Sequence, residues 1–176
     1  MADFFHSSKE SSLVAFSQGI YKVVNREKYL GTTSSTTNNN RTFTHSMNDP
    51  VYRSSWEQRL MAMLDNNANI IRWGFENIII PYMNFDGKQH RYIMDFYCEI
   101  FQGKDKPIKK LLIEVKPLQQ TQPPKKPKIN NRKAMNRFMY ESKTYVTNQN
   151  KWKATKQFCK KNNMEFKIMT EKDLFK

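Results

Sequence analysis

Two apolar segments of the chain carry charged residues where a strand normally holds only apolar side chains. Residues 91–98 read RYIMDFYC and contain Asp95, and residues 111–117 read LLIEVKP and contain Glu114 and Lys116. A charge among apolar side chains is unfavourable unless it finds a partner. Because side chains alternate along a strand, Glu114 and Lys116 share one face. These residues therefore predict one functional site that is shared by two strands.

The arrangement predicts cleavage of a phosphodiester bond with the help of a divalent cation. An Asp followed by Glu-x-Lys on the next strand is typical of metal-dependent nucleases. Mg²⁺ prefers oxygen ligands, and the predicted ligands are Asp95, Glu114 and the backbone carbonyl of Val115, with Mn²⁺ as a substitute. We expect Lys116 to stay charged beside the carboxylates, and to orient the attacking water or stabilise the phosphate rather than act as a base. The alternative interpretation is a cross-strand Lys–Glu pair beside an unrelated Asp.

The stretch between the two segments is expected to close a hairpin. Residues 102–107 read QGKDKP, which is a turn-rich composition. A turn centred between Lys104 and Asp105 pairs Asp95 with Glu114, and opposed residues have Cβ atoms about 4.5–5.5 Å apart. The two carboxylates would then hold one ion together. Because the turn lacks an Asn-Gly or Asp-Gly pair, a longer loop with a shifted register stays open.

A third acidic residue, Glu57, has two interpretations that are compatible with each other. Residues 54–57 read SSWE, the S-x-x-E pattern of a capping box, in which the glutamate bonds back to the backbone at the helix start. The same helix start can aim Glu57 into the metal site as a further carboxylate ligand. Arg53 and Arg91 border this site in the sequence, and both are candidate phosphate contacts.

The excess of positive charge is concentrated in one part of the sequence. The 176 residues carry a net charge of +14, and residues 104–161 alone hold 17 Lys or Arg residues against three acidic ones. This local excess equals that of the whole chain and predicts a polyanionic partner, namely double-stranded DNA. A generic basic surface that favours solubility is the alternative. The residues predicted to contact DNA are Arg53, Arg91, Lys125, Lys126, Lys128, Lys151 and Lys153.

Cysteine content and hydropathy indicate the expected compartment. Cys98 and Cys159 are too few and too far apart for a disulfide framework or a zinc site, so both are expected to be buried thiols. No run approaches the roughly 18 apolar residues of a membrane span, and the first residues do not resemble a signal peptide. We therefore expect an intracellular protein that does not associate with membranes.

The chain is predicted to divide at residue 48. Residues 1–48 form an N-terminal arm and linker, and residues 49–176 form the nuclease domain. Residues 31–40 read GTTSSTTNNN and are expected to be a flexible or extended connector. The apolar residues between Leu13 and Leu30 suit either docking on a partner or packing on the core as a missing layer, and the sequence leaves both open.

Hydrophobic periodicity predicts the elements of the nuclease domain. A helix begins near residue 56 and buries Trp56, Leu60, Met63 and Leu64. Strands follow at residues 77–80, 91–98 and 111–117, and Pro81 is expected to end the first of them. Residues 121–128, TQPPKKPK, are expected to be extended because three prolines fix the backbone. Helices at residues 132–142 and 151–161 and strands at residues 144–147 and 166–169 complete the domain.

This order, α-β-β-β-α-β-α-β, predicts an α/β fold with an N-terminal extension. The middle strands are apolar on both faces, as expected where helices cover both sides of a sheet. The prediction is therefore a mixed sheet flanked by helices.

Short motifs in this chain resemble those of a known nuclease family. They are YRSSWE at 52–57, RYIMD at 91–95, IEVKP at 113–117, TQPP at 121–124 and NKWKA at 150–154, preceded by Gly19, Tyr21, Asn25, Lys28, Tyr29 and Gly31. In these motifs the chain resembles the head completion nucleases of contractile-tailed bacteriophages. It is more distantly similar to TnsA-type transposon endonucleases and to the restriction-endonuclease-like PD-(D/E)xK superfamily.

The resemblance carries expectations about residues and function. It implies that Glu57, Asp95, Glu114 and Lys116 are the catalytic set and that the fold is restriction-endonuclease-like. It implies trimming of packaged DNA so that head and tail can join, in the host-cell cytoplasm or retained at the virion neck. Phage neck, portal or head–tail connector proteins are then the expected partners. The alternatives are a junction-resolving or transposon-type endonuclease on the same fold, and a non-enzymatic neck or connector protein.

Overall fold

The structure, a computed structural model, describes residues 18–38, 40–129 and 131–175. Its strands are β1 (Gly19–Ile20), β2 (Tyr29–Asn38), β3 (Asn40–Ser46), β4 (Val51–Tyr52), β5 (Ile70–Met83), β6 (Gln89–Ile100), β7 (Lys109–Val115) and β8 (Glu165–Met169). Its helices are α1 (Ser55–Asn66), α2 (Leu118–Thr121), α3 (Arg132–Lys161) and α4 (Glu171–Leu174).

Six of the strands form one mixed sheet. Their order is β3-β2-β5-β6-β7-β8, and β1 and β4 form a separate two-stranded sheet. β2 runs parallel to β5 and β7 runs parallel to β8, whereas the other neighbours in the sheet are antiparallel. The predicted mixed sheet flanked by helices is therefore confirmed.

The sheet separates two hydrophobic clusters. On β7, Leu111 and Ile113 belong to one cluster and Leu112 belongs to the other. Because successive side chains of a strand point to opposite faces, the two clusters lie on opposite faces of the sheet. α1 and α4 pack on the first face, and the C-terminal half of α3 packs on the second, where Cys159 is buried. This arrangement explains why the central strands are apolar on both faces.

Helix α1 buries nearly the predicted face. Trp56, Leu60 and Leu64 are buried as predicted, but Met61 is fully buried while Met63 is only partly buried. Met61 directly follows Leu60 and widens the apolar stripe, as in most helices that pack on a sheet.

The predicted strand at residues 144–147 is wrong. Residues 132–142, 144–147 and 151–161 all belong to the single 30-residue helix α3. The β-branched residues of the middle segment favour a strand only weakly, and tertiary packing overrides such a preference. No Gly or Pro interrupts the helix, which ends where Asn163 adopts a φ of 53°.

The prediction that Pro81 ends its strand is also wrong. β5 continues to Met83, and Pro81 pairs with Arg91 of β6. The pairs between β2 and β5 lie at the other end of β5, where Tyr29 is opposite Trp73. Near Pro81 the strand is therefore an edge strand, and the missing N–H removes no bond from the sheet.

The described part of the predicted arm belongs to the sheet and the core. The predicted connector at residues 31–40 is wrong, because its described residues lie in the β2–β3 hairpin. Val23 and Tyr29 are buried in the cluster under α1, so the interpretation of residues 18–30 as an additional core layer holds. A domain boundary at residue 48 would therefore separate residues that pack in the same core. The prediction for residues 1–17 lies outside the described residues.

A buried carboxylate fastens this N-terminal layer to α1. Asp65 is fully buried and accepts hydrogen bonds from the Tyr21 hydroxyl at 3.0 Å and from the backbone N–H groups of Val24 at 2.8 Å and Asn25 at 3.1 Å. The side-chain amide of Asn25 donates in return to the Asp65 carbonyl at 2.8 Å. Tyr21 and Asn25 of the N-terminal motif therefore have a structural role.

The two cysteines are buried free thiols, as predicted. Burial raises the pKa of the Cys98 thiol to about 12, with a smaller contribution from the charge of Glu99. None of the helices in the described part of the chain combines the length and apolar character that crossing a bilayer requires.

Candidate active site

The β6–β7 hairpin has the predicted register. Phe96 pairs with Ile113 and Tyr97 pairs with Leu112, so one further step of the ladder brings Asp95 opposite Glu114. The backbone N–H of Val115 donates a hydrogen bond to Oδ2 of Asp95 at 2.9 Å. The two strands therefore bring both carboxylates together at the end of β7.

The two carboxylates oppose each other electrostatically. Glu114 is 1% exposed. Burial, and next the charge of Glu114, raise the pKa of Asp95 well above its ordinary range, while Lys116 and the Val115 N–H act in the opposite direction. Two acids in contact, one buried and one partly buried, favour either a shared proton or a shared cation.

Lys116 is the cation that the chain itself supplies. Its Nζ lies 2.9 Å from Oε1 of Glu114, and its side chain is 27% exposed. Burial lowers the pKa of Lys116, but the charges of Asp95 and Glu114 outweigh burial and raise it above its usual value. Lys116 is therefore a fixed positive charge and a poor general base.

Tyr92 is a member of the site that the sequence did not reveal. Its hydroxyl donates a hydrogen bond to Oε2 of Glu114. Burial, followed by the charges of Glu114 and Asp95, raises the pKa of Tyr92, so the hydroxyl remains a donor. Strict alternation would place Tyr92 and Asp95 on opposite faces. The pairing of β5 with β6 changes register opposite this segment, which no pattern in the sequence indicates.

Glu57 lies at the start of α1, and it caps the helix. Ser54 Oγ accepts a hydrogen bond from the Glu57 N–H at 3.2 Å, and Glu57 Oε2 accepts one from the Arg53 N–H at 2.7 Å. The charge of Glu57 also contributes to raising the pKa values of Arg53 and Lys116. Glu57 therefore lies within electrostatic reach of the site while it performs its capping role.

Arg53 is held by an acidic residue that sequence reasoning had not placed at the site. Both terminal nitrogens of its guanidinium contact the carboxylate of Glu76. Glu76 has a φ of 50°, unusual for a residue other than glycine, and it lies where β5 changes register against β6. The hydrogen bond to Glu76 is the main cause that raises the pKa of Arg53, and the charges of Glu57 and Asp95 add to it.

Comparison with known proteins agrees with this geometry. Residues 67–171 match the family described as TnsA-like endonuclease N terminal, which covers Asp95, Glu114 and Lys116 but begins after Glu57. The head completion nuclease of Enterobacteria phage T4 is 42% identical over 125 residues, which are 70% of this chain and 80% of that protein. The chain belongs to the head completion nuclease family, within the TnsA-like endonucleases. No solved structure matches the chain.

In this nuclease, a second lysine approaches the acidic pair from α3. The Nζ of Lys151 lies 5.0 Å from the ring centroid of Tyr92. Lys153, two residues further along the helix, is exposed and lines a groove of about 640 Å³ between α3 and the β5–β6 hairpin.

The remaining basic residues predicted to contact DNA lie on the surface of the nuclease. Lys125, Lys126 and Lys128 are exposed on the extended segment that follows α2. Arg91 is exposed on β6, opposite Pro81. The structure thus brings Arg53 and Lys151 to the acidic residues and leaves the others on the flanking surface.

The carboxylates of the nuclease suit a hard cation that keeps coordination positions for water and phosphate oxygens. Among the described residues, no group of three or more His, Cys, Asp and Glu side chains is arranged to hold a metal ion. Mg²⁺ is usually held by one or two carboxylates, with water and phosphate oxygens completing its coordination. The Asp95–Glu114 pair fits this requirement, whereas a closed cage of protein ligands is not formed in the described residues. The role of Glu57 as a further ligand stays a prediction.

Proposed function

We propose that this head completion nuclease hydrolyses phosphodiester bonds of double-stranded DNA in a reaction that depends on Mg²⁺, with Mn²⁺ as a substitute. The observation that supports the proposal is the contact of Asp95 and Glu114 beside Lys116 at the end of β7. A non-catalytic connector gains nothing from two acids held in contact, one of them buried, because this arrangement costs stability.

The residues of the site have distinct roles in this proposal. Asp95, Glu114 and the carbonyl of Val115 would hold the ion, with Glu57 as a further candidate ligand. The bound ion would supply Lewis-acid polarisation of the phosphate and lower the pKa of an attacking water. Lys116 stabilises negative charge on the phosphate, because its raised pKa keeps it protonated.

Basic side chains around the site would hold the DNA. Lys125, Lys126 and Lys128 are exposed and extend the positive surface away from the acidic pair. Arg53 and Arg91 would contact phosphates near the site, with Arg53 first released from Glu76. Such contacts bind the backbone of DNA and carry no sequence information.

The biological step would be the trimming of packaged DNA before head and tail join. The relative from phage T4 is named a head completion nuclease, and this chain shares its family. Partners at the neck, portal or head–tail connector would position the nuclease at the end of the DNA. We place this step in the host-cell cytoplasm during assembly, with retention at the virion neck as an extension of it.

A cleavage assay tests the proposal. Purified protein is incubated with supercoiled and linear duplex DNA, with Mg²⁺ or with chelator, beside a Glu114→Gln variant. The proposal is supported if the protein cleaves DNA in Mg²⁺ and if cleavage is absent in chelator and absent with the Glu114→Gln variant. Undiminished cleavage in chelator, or undiminished cleavage by the variant in Mg²⁺, overturns it. Nicking of the circle shows endonuclease activity, and shortening of linear DNA alone shows exonuclease activity. Cleavage of branched DNA in preference to linear duplex would instead favour a junction-resolving enzyme.

A further inference from the structure

Lys151 is oriented toward the acidic site, unlike the neighbouring lysines of α3. It is partly buried, with its Nζ 5.0 Å from the ring centroid of Tyr92, whereas Lys153 and Lys156 are exposed. The next residue, Trp152, is 5% exposed and anchors this turn of the helix. The burial of Trp152 holds this turn of the helix against the core, and the ring of Tyr92 is the contact made by the Lys151 ammonium group.

The surroundings of Lys151 leave its charge incompletely compensated. Burial lowers its pKa, and the charges of Glu114 and Asp95 partly oppose that effect while Lys116 adds to it. Among the described residues, no carboxylate forms an ion pair with Lys151, and the ion-pair partner of Glu114 is Lys116. A partly buried cation whose main contact is an aromatic ring has capacity for one further anion.

Tyr92 connects this lysine to the acidic pair. Its hydroxyl donates a hydrogen bond to Glu114, and its ring contacts Lys151. One side chain therefore fixes both the orientation of a predicted metal ligand and the location of a cation. Lys116 from β7 and Lys151 from α3 therefore both interact electrostatically with the acidic pair.

We propose that Lys151 is a catalytic residue that contacts a non-bridging oxygen of the scissile phosphate, and that Tyr92 is the positioning residue for it. This inference rests on the proposed function. In the reaction, a water oxygen forms a bond to the phosphorus and releases a proton to solvent, while the bond to the leaving oxygen breaks and that oxygen takes up a proton from solvent. Negative charge therefore builds up on the phosphate oxygens in the transition state. Lys151 neither gains nor loses a proton in this step. It stabilises the transition state more than the bound DNA, because the charge it faces is greater there.

The first test separates chemistry from binding. Single-turnover cleavage at saturating DNA and DNA affinity in chelator are measured for wild type, Lys151→Met, Lys151→Arg and Lys153→Met. We expect Lys151→Met to lose about 100-fold in the cleavage rate, as on removal of one transition-state donor, with affinity changed less than about threefold. Lys151→Arg should recover part of the rate. Lys153→Met should weaken binding and change the saturated rate far less than Lys151→Met.

The second test addresses Tyr92. Tyr92→Phe keeps the ring and removes the hydroxyl, whereas Tyr92→Leu removes both, and melting temperatures show which variants are folded. If Tyr92 positions Lys151, adding Lys151→Met to Tyr92→Leu lowers the rate little further. Fully multiplicative losses in the double variant would overturn the positioning role. If Tyr92→Leu does not fold, the same cycle is run with Tyr92→Met.

The outcomes distinguish this inference from the proposed function. Absence of cleavage by the folded wild-type protein in Mg²⁺ means that the proposed function fails, and the inference fails with it. Cleavage by wild type together with an unchanged saturated rate in Lys151→Met overturns the inference alone. A loss of affinity without a loss of saturated rate likewise overturns it, since Lys151 would then be an ordinary phosphate contact.

Discussion

The backbone N–H of Val115 donates a hydrogen bond to Oδ2 of Asp95 at 2.9 Å, so the strand that carries Glu114 also orients the opposing acid. This bond fixes Asp95 within reach of Glu114, although the two negative charges repel each other. Burial and the charge of Glu114 raise the pKa of Asp95, so keeping the two acids in contact costs stability when no metal is bound.

Replacing Asp95 by Asn should abolish cleavage and stabilise the metal-free protein. Loss of several kcal/mol of transition-state stabilisation corresponds to about 1,000-fold or more in rate. Because burial and Glu114 raise the folded-state pKa of Asp95, its ionisation is unfavourable in the folded protein. Protonated Asp95 therefore stabilises the folded state at acid pH, and this contribution is lost as pH rises through the raised pKa. Melting temperatures at neutral pH should therefore be higher for Asp95→Asn than for wild type.

This prediction has two controls, which are the addition of Mg²⁺ and the replacement of an exposed aspartate. Mg²⁺ should raise the melting temperature of wild type and have little effect on Asp95→Asn, since ligand binding to the folded state stabilises it. Asp105→Asn, in the exposed β6–β7 turn, should change neither rate nor stability. Normal cleavage by Asp95→Asn would contradict the assignment of Asp95.

The register of the acidic hairpin could be predicted because its evidence is local. Asp95, Glu114 and the turn between them lie within about twenty residues, and charge within an apolar strand is visible in the sequence. The helix periodicity of α1 is local in the same sense. Both predictions therefore depend on patterns that side-chain alternation and helical spacing impose directly.

The features that escaped prediction depend on contacts between distant parts of the chain. The pairing of β5 with β6 changes register opposite the segment that carries Tyr92, and Glu76, which meets Arg53, lies at the same irregularity. The threonines of β2 favour a strand only weakly and do not alternate with apolar residues, and the segment becomes a strand by pairing with β3 and β5. Such long-range pairing determines secondary structure wherever local preference is weak.

Replacing Lys116 by Met should impair both stability and cleavage. The carboxylate of Glu114 is 1% exposed and would lose its ion-pair partner at 2.9 Å. Removing one member of a buried ion pair costs about 3 kcal/mol. Denaturant unfolding at neutral pH should show this loss. Lys172→Met, at an exposed position of α4, serves as the control, and equal stability of the two variants would contradict the prediction.

Replacing Asp65 by Ala should destabilise the fold without altering the chemistry. The change leaves the Tyr21 hydroxyl and the N–H groups of Val24 and Asn25 without their acceptor. Together, the unsatisfied donors cost about 3 kcal/mol, and water that reaches any of them reduces this cost. Chemical denaturation measures the loss, and the cleavage rate at a temperature where the variant is folded should match wild type. Asn66→Ala, on the exposed neighbouring residue, is the control, and a stable Asp65→Ala variant would show that residues 18–30 are held mainly by apolar packing.

Neutralising Lys125, Lys126 and Lys128 together should weaken DNA binding in a salt-dependent manner. The three side chains are exposed on the segment after α2, and each contact with a phosphate contributes about 0.9 to the slope of log affinity against log salt concentration. The triple variant should therefore have a slope shallower by about 2–3, if all three touch the backbone. Its cleavage rate at saturating DNA should stay close to wild type, because Asp95, Glu114 and Lys116 are unchanged. The slope is obtained from DNA affinities of the wild type and the triple variant, measured from low to physiological salt. An unchanged slope would move the DNA path to the exposed lysines of α3, of which Lys153 and Lys156 would be the next to replace.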